Sequence, residues 1–344
     1  MNVITKTNYL IVAASLLLGA VAGCWRNADR EVVVYAALDA EFSQPILQDF
    51  ERQRHVAVRA NYDVESTKTV GLTTRIVREQ NRPRCDLFWN NEILHTLRLE
   101  KKGLLAPYKS TAGQKLPTNY RSASHTWYGM AARARVLLVN TDQLKPNERP
   151  RSILDLADPK WKGRAGIAKP LFGTTATHAA VLFSFWGETR AKQFFRNLKQ
   201  NVRVMSGNKS VAQAVSQGTL AFGLTDTDDA IIELENGHPV AIVFPDQQEG
   251  AFGTLFIPNT ICIIQGGPNP QQARDLVEHL LSSEVETKLA QGASAQFPVN
   301  PDVIARSRVL SDEPVRWMDV RFDEAADHWD EAAKFLLQLF ATAE

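Results

Sequence analysis

The sequence predicts an α/β protein of two doubly wound lobes joined by hinge strands, and three observations carry that prediction. From Glu31 onward, short β-branched runs alternate with amphipathic helical stretches. The alternation is repeated in the second half of the chain, from Ala165 onward. Two long apolar runs, Ala131–Asn140 and Gly253–Ile264, are each long enough to cross from one lobe to the other. Strands alternating with helices imply a mainly parallel sheet covered on both faces.

In chain order, Val32-Val33-Val34-Tyr35 reads as a buried strand, and Phe42, Ile46, Leu47 and Phe50 then fall on one helical face. Val56, Val58, Ala60 and Tyr62 alternate as a strand, and Thr69 is placed to cap a helix carrying Val70 and Ile76. Cys85-Asp86-Leu87-Phe88-Trp89 is the next strand, with Ile93, Leu94 and Leu97 on the helix behind it. In the second lobe, Ala165–Ala168, Val202–Met205, Leu220–Leu224 and Val240–Phe244 read as strands separated by helical or turn-rich sequence. After Pro298 the chain is polar until a terminal helix whose Ala332, Phe335, Leu336 and Leu339 form an apolar packing stripe. Residues 31–130 with 260–300 are expected to form the first lobe and 131–259 the second, with 301–344 a C-terminal helical segment packing on a lobe. No low-complexity linker or short fixed repeat intervenes, which suits interwoven lobes rather than tethered beads.

The N-terminal end reads as an export signal. A polar start carrying Lys6 leads into an apolar run from Tyr9 to Ala22, then Val21-Ala22-Gly23-Cys24. The run is shorter than the ~20 apolar residues of a membrane span, and polar Arg26–Arg30 follows at once. Residues 1–23 are therefore read as a signal peptide and 24–30 as an anchor and short linker. The small residues before Cys24 resemble the bacterial lipoprotein signal, in which that thiol is acylated; plain cleavage with a free Cys24 leaves export intact. The chain has 39 Lys and Arg against 38 Asp and Glu, and removing Lys6 with the signal equalises them. A protein without bulk charge is a poor match for nucleic acid or acidic membranes. Cys85 and Cys262, both in apolar strand-like runs, are expected as buried free thiols, with one disulfide the alternative in an oxidising compartment.

In open α/β sheets, ligands bind beyond the carboxyl ends of the strands, where loops turn into helix N-termini with unsatisfied N–H groups. The loops in those places are Ala36–Asp39, Glu65-Ser66-Thr67-Lys68-Thr69, Asn90-Asn91-Glu92, Phe172–His178, Ser206–Ser210 and Thr225–Asp229. Capping alone explains Asp39, Thr69, Ser210 and Asp229 taken singly. It does not explain the surplus: Gly173-Thr174-Thr175-Ala176-Thr177 has three threonines where one cap suffices, and Thr225–Asp229 has three carboxylates. The Gly-Thr-Thr turn suits an oxyanion or sugar hydroxyls, with Lys68, Lys169 and Lys209 as further positive charge; Asp226, Asp228 and Asp229 suit a hard cation, an amine or hydroxyl donors. His178 reads as a helix-face residue rather than a metal ligand. Gly-x-Ser-x-Gly, His-Glu-x-x-His, Walker-type and dinucleotide-binding motifs are absent, and Ser206-Gly207-Asn208-Lys209, a Ser-x-x-Lys match, lacks a Lys-Thr-Gly companion. An anchored periplasmic hydrolase would need a nucleophile with a base that the sequence does not offer, so no enzyme is expected.

Several segments together resemble the periplasmic solute-binding proteins of ABC importers, and within them the ferric-ion-binding branch: Val34-Tyr35, Asp86–Glu92, Gly103–Tyr108, Asp158–Arg164 and Ser210–Val215. The resemblance spans nearly the whole mature chain and implies the periplasmic binding protein fold: two lobes that close over a solute and hand it to a membrane permease driven by a cytoplasmic ATPase, the protein itself being a monomer. Position by position, it puts the anion-binding turn on Gly173, Thr174 and Thr175 and a further anion contact on Asn208. The branch's paired tyrosines fall on Thr227 and Asp228, its histidine on Asp39, and its glutamate on Asn91, beside Glu92. The six tyrosines are at positions 9, 35, 62, 108, 120 and 128, so the second lobe has none to offer a metal.

The cargo implied by resemblance is Fe3+ or a ferric–anion complex, held by Asp39, Asp228 and a bound anion, with no resident cofactor. The alternative cargo is an organic solute such as a sugar phosphate or aminophosphonate, its oxyanion on Thr174-Thr175 and its hydroxyl or amine on Asp226 and Asp228. Thr67 and Thr227 complete the candidate ligand-binding set.

Overall fold

The computed structural model describes residues 30–63, 69–309, 311 and 313–341. The export signal, Cys24, Thr67 and Lys68 lie outside the described residues. Among the described residues no helix is long and apolar enough to cross a membrane.

The first half begins with β1 (Glu31–Ala36), α1 (Ala40–Arg54), β2 (Ala57–Tyr62), α2 (Val70–Arg78), β3 (Leu87–Asn90), α3 (Leu94–Lys101) and the short β4 (Leu105–Ala106). The long strand β5 (Trp127–Asn140) then leads to β6 (Ala165–Ala168), α4 (Gly173–Trp186), α5 (Glu188–Asn201) and β7 (Arg203–Met205). They are followed by α6 (Asn208–Ser216), β8 (Phe222–Asp226), α7 (Thr227–Glu235) and β9 (Val240–Val243). Strand β10 (Phe256–Ile264) returns the chain to the first half, where α8 (Pro270–Leu280) and α9 (Ser283–Gln291) follow; α10 (Phe322–Asp327) and α11 (Trp329–Ala341) come last.

The strands order as β2-β1-β3-β10-β5-β8-β6-β7, with β4 on β10 and β9 on β5. Strands β1, β2 and β3 are parallel to one another, as are β6, β7 and β8, whereas β5 and β10 run antiparallel in the middle. These two strands are the expected crossing runs. Each parallel set has its carboxyl ends, and so its helix-starting loops, at the cleft between the halves.

Alternate residues along a strand face opposite sides of a sheet. Accordingly Tyr35, Phe88, Leu137 and Leu224 join one apolar core while Val34, Trp89, Val136 and Leu138 join another, so each core includes residues of both halves. The C-terminal helices also reach both halves rather than one. Trp329 packs edge-on against His95 at 4.4 Å between ring centroids, Arg98 pairs with Asp330 at 2.8 Å, and Phe335 meets Phe183 at 6.0 Å.

The crossing strands are interrupted near their middle. Ala131, fully buried, has φ 32°, and the β5/β10 register shifts between Pro258 and Asn259. A residue with a Cβ is disfavoured there, so surrounding contacts must hold it. Glu286 accepts from the backbone N–H of Ala131 at 2.6 Å and of Asn300 at 3.0 Å, and the Asn259 amide donates to the Ala131 carbonyl and, at 2.8 Å, to Gln296. Side chains thus supply the hydrogen bonds that the broken ladder lacks. Cys85 and Cys262 are buried free thiols.

Candidate functional site

A small cavity, partly open to solvent, lies in the cleft. Asp39 and Asn91 line it from the first half; Gly173, Thr174, Thr175, Asn208, Asp226, Asp228 and Asp229 line it from the second; and Arg133 reaches it from the crossing strand β5.

Two helices begin there without a side-chain cap. Phe172 precedes α4 and Gly207 precedes α6, and neither closes its helix by a side-chain hydrogen bond. Their first-turn N–H groups are left for an anion, with the positive end of each helix dipole behind them. The threonines that looked like surplus caps serve instead in a buried network. Thr174 Oγ1 donates to Asp226 Oδ2 at 2.6 Å and accepts from Asn208 Nδ2 at 2.9 Å, while Thr175 Oγ1 donates to Asn208 Oδ1 at 3.1 Å. Asp39 and Asp226 hold the cap positions of α1 and α7 and also make no capping bond with their side chains.

The electrostatic centre is a pair of buried arginines that the strand pattern conceals. Arg135 is fully buried; it donates to Asp226 Oδ1 at 2.6 Å, Asn208 Oδ1 at 3.1 Å, Thr174 Oγ1 at 3.2 Å and Thr175 Oγ1 at 3.1 Å. Arg133, two residues earlier and so on the same strand face, donates through Nη2 to the Asn91 carbonyl. Its Nη1 lies 3.4 Å from Asp228 Oδ2 and 3.7 Å from Asp226 Oδ2. Burial alone would raise Asp226, but Arg135, Arg133 and the Thr174 hydroxyl outweigh it and hold that carboxyl below the usual range. Burial likewise opposes the charge on Arg133, and Asp228, Asp226, Asp39 and Asp229 restore and strengthen it. Neither arginine lies in a strand-end loop; both are inside β5. The available signal was their i, i+2 spacing in an otherwise apolar run, which puts two charges on one face of a strand.

Glu92 and Thr227 are placed outside the cavity lining. Glu92 is fully buried; it accepts from the backbone N–H of Leu94 and His95, from Asn90 at 2.7 Å, and across the cleft from Thr177 at 2.8 Å. Thr227 Oγ1 accepts from the Ala134 N–H at 3.1 Å, fastening α7 to β5. Thr69 does not cap α2; its hydroxyl donates to Asn91 Oδ1 at 2.8 Å and so orients a cavity residue. His178 is buried on α4, where burial first and Arg135 second press its pKa down to about 3, leaving a neutral ring. Ser206 bonds to Ser210 at 2.8 Å, and Lys209 pairs at 3.5 Å with Glu41 across the cleft mouth, so these two do not form a nucleophile–base pair.

Carboxylate oxygens of Asp226, Asp228 and Asp229 lie within 4.8 Å of one another, a spacing that admits a hard cation. The cavity therefore presents two chemistries: bare helix N-termini, and carboxylates tempered by arginine and, at Asp226, by Thr174 and Asn208.

The protein-family model for bacterial extracellular solute-binding proteins matches residues 94–324. The chain is 25% identical over 311 residues, 88% of each chain, to the major ferric iron-binding protein of Neisseria meningitidis serogroup B. It is 25% identical over 255 residues to the putative 2-aminoethylphosphonate-binding periplasmic protein of Salmonella paratyphi A, covering 69% of this chain and 72% of that one. The periplasmic binding protein AfuA of Actinobacillus pleuropneumoniae, solved with exogenous fructose-6-phosphate bound, superposes with a TM-score of 0.79 at 22% identity over 92% of this chain and 100% of that one. With two thirds of its length under the family model, a cleft between two α/β halves and polar loops gathered at the strand ends, this chain belongs to the bacterial extracellular solute-binding proteins.

Proposed function

We propose that the protein is the receptor of an ABC import system, that it closes its halves over a small organic solute bearing an oxyanion, and that it delivers this cargo to a membrane permease. The observation that carries this reading is the pairing of two chemistries in one cavity. The uncapped starts of α4 and α6 offer backbone N–H groups to an oxyanion, while Asp39 and Asp228 take hydroxyl or amine donors from opposite halves. The aminophosphonate and sugar phosphate named for two of the similar proteins both have that form. In this reading the signal peptide directs export, acylated Cys24 keeps a monomeric receptor beside its permease, and the protein has no catalytic role.

A second cargo, Fe3+ with a bound anion, is favoured by the carboxylate cluster Asp226, Asp228 and Asp229 and by the name of the meningococcal relative. Against it, the second half has no tyrosine and Arg133 stands 3.4 Å from Asp228. Metal analysis of protein taken from its own periplasm, with mass spectrometry of any released small molecule, separates the two. Stoichiometric iron overturns the organic cargo; a phosphorus-bearing compound without metal overturns the ferric one. The joint variant Thr175→Ala with Asp228→Ala is expected to lose thermal stabilisation by the released compound while keeping the ligand-free fold.

A further inference from the structure

Arg133 differs from its neighbour Arg135 in where it stands. Arg135 makes four hydrogen bonds within the second half and does not line the cavity. Arg133 has 2% of its surface exposed, touches both halves, and meets Asp228 and Asp226 only at 3.4 and 3.7 Å. Its Nε, like that of Arg135, is buried without a hydrogen-bond partner, but of the two side chains only that of Arg133 lines the cavity. A buried guanidinium N–H without a partner is costly, and a cavity group is the place where cargo can supply one.

The position of that guanidinium also bears on what the carboxylates accept. A hard cation sits about 2.0–2.6 Å from carboxylate oxygens. A cation bridging Asp226 and Asp228 would thus stand beside the guanidinium that already faces both Oδ2 atoms. Two cations sharing one carboxylate pair in a buried site repel strongly, because the local dielectric is low. A neutral hydroxyl or a singly charged amine meets far less opposition than a trivalent ion.

From this geometry we infer that Arg133 is the cargo-selecting residue of the cleft: its fixed charge keeps bare metal ions off the Asp226–Asp228–Asp229 cluster and reserves those carboxylates for hydrogen-bond donors of an organic solute. The inference rests on the organic-cargo reading above. It makes the carboxylate cluster a latent metal site, closed by one side chain.

The test compares the full mature protein with Arg133→Gln, which keeps a polar amide and removes the charge, and with Arg133→Lys, which keeps the charge. Each is titrated calorimetrically with Tb3+, a hard trivalent ion, and separately with inorganic phosphate, its folding being checked by circular dichroism. Arg133→Gln should bind Tb3+ about tenfold or more tighter than the wild type, since a like charge beside the site has been removed. Arg133→Lys should remain with the wild type, and adding Asp228→Asn to Arg133→Gln should abolish the gain. A folded Arg133→Gln protein with no gain overturns the inference, as does stoichiometric, tight Tb3+ binding by the wild type. If Arg133→Gln does not fold, Arg133→Met, which also removes the charge, takes its place in the comparison, and tight Tb3+ binding by the wild type still overturns the inference. The phosphate arm keeps the two readings apart: failure of phosphate to bind the wild type counts against the oxyanion end of the cavity, while the Tb3+ comparison still judges Arg133.

Discussion

Replacing Arg135 by Met removes the charge at the centre of the second half while nearly keeping the volume, and the structure indicates which consequence dominates. The hydroxyl and amide partners lose little, because Thr175 still donates to Asn208 and Asn208 still donates to Thr174. Asp226 is the group left exposed to the change: 2% of its side chain is accessible, and it would keep hydrogen bonds from Thr174 at 2.6 Å and Asn208 at 3.0 Å but only the distant Arg133 as counter-charge. Removing one partner of a buried ion pair costs about 3–5 kcal/mol, and Arg133 at 3.7 Å places this case toward the lower end. For a chain of this size the loss is roughly 4–8 °C in Tm.

The pH dependence gives the diagnostic sign. In the wild type the Asp226 pKa is depressed, so its stabilising contribution is present above about pH 4 and is lost as pH falls through the folded pKa. In Arg135→Met burial dominates and raises the folded pKa, so the carboxylate destabilises above about pH 4 and protonation relieves it. Urea unfolding at pH 7 and pH 4 should therefore show the gap between the two proteins narrowing on acidification. Adding Asp226→Leu should restore about 2 kcal/mol or more to Arg135→Met. A loss under about 1 kcal/mol at pH 7, or no recovery in the double variant, refutes the reasoning.

Two further outcomes follow from buried groups elsewhere. Thr177→Val deletes the hydrogen bond to Glu92 that joins the halves, costing about 1.5–3 kcal/mol because the acceptor is charged; small-angle scattering should report a larger radius of gyration, and an unchanged profile would show that this contact does not favour closure. His95 and His178 are neutral in the folded protein, with pKa values pressed by burial to about 4 and about 3. The unfolded chain takes up these protons near pH 6.5, so both histidines should lower stability from there downward, His95 to about pH 4 and His178 to about pH 3; His178→Leu should flatten the slope between pH 6.5 and pH 4, and an unaltered slope would sink the assignment.

Much of this architecture can be read from residue order. The β-branched runs become strands, Ala165–Ala168 with unchanged limits, because a buried strand needs contiguous apolar side chains on both faces. The convergence of Asp39, Asn91, Thr174, Thr175, Asn208, Asp226 and Asp228 on one cavity follows from the rule that loops after parallel strands gather at one edge. What could not be read depends on contacts distant in sequence. Thr69 has the local grammar of a cap, yet Asn91, 22 residues away, takes its hydroxyl. Arg133 and Arg135 sit in an otherwise apolar stretch, and only partners arriving from four loops make burial of their charges tolerable. The hydrogen bond that Glu92 accepts across the cleft comes from a threonine 85 positions away.

Strand β5 changes partners between these arginines: Ala134 is the last residue paired with β10, and Arg135 the first paired with β8. Arg135 is thereby riveted to the second half opposite Asp226, while Arg133, a single strand repeat earlier, stays on the β10 side with its hold on Asn91. A rotation of one half against the other about this partner change would alter the spacing between Arg133 and Asp228. The guanidinium that lines the cavity therefore stands beside the point in the strand where pairing passes from one half to the other.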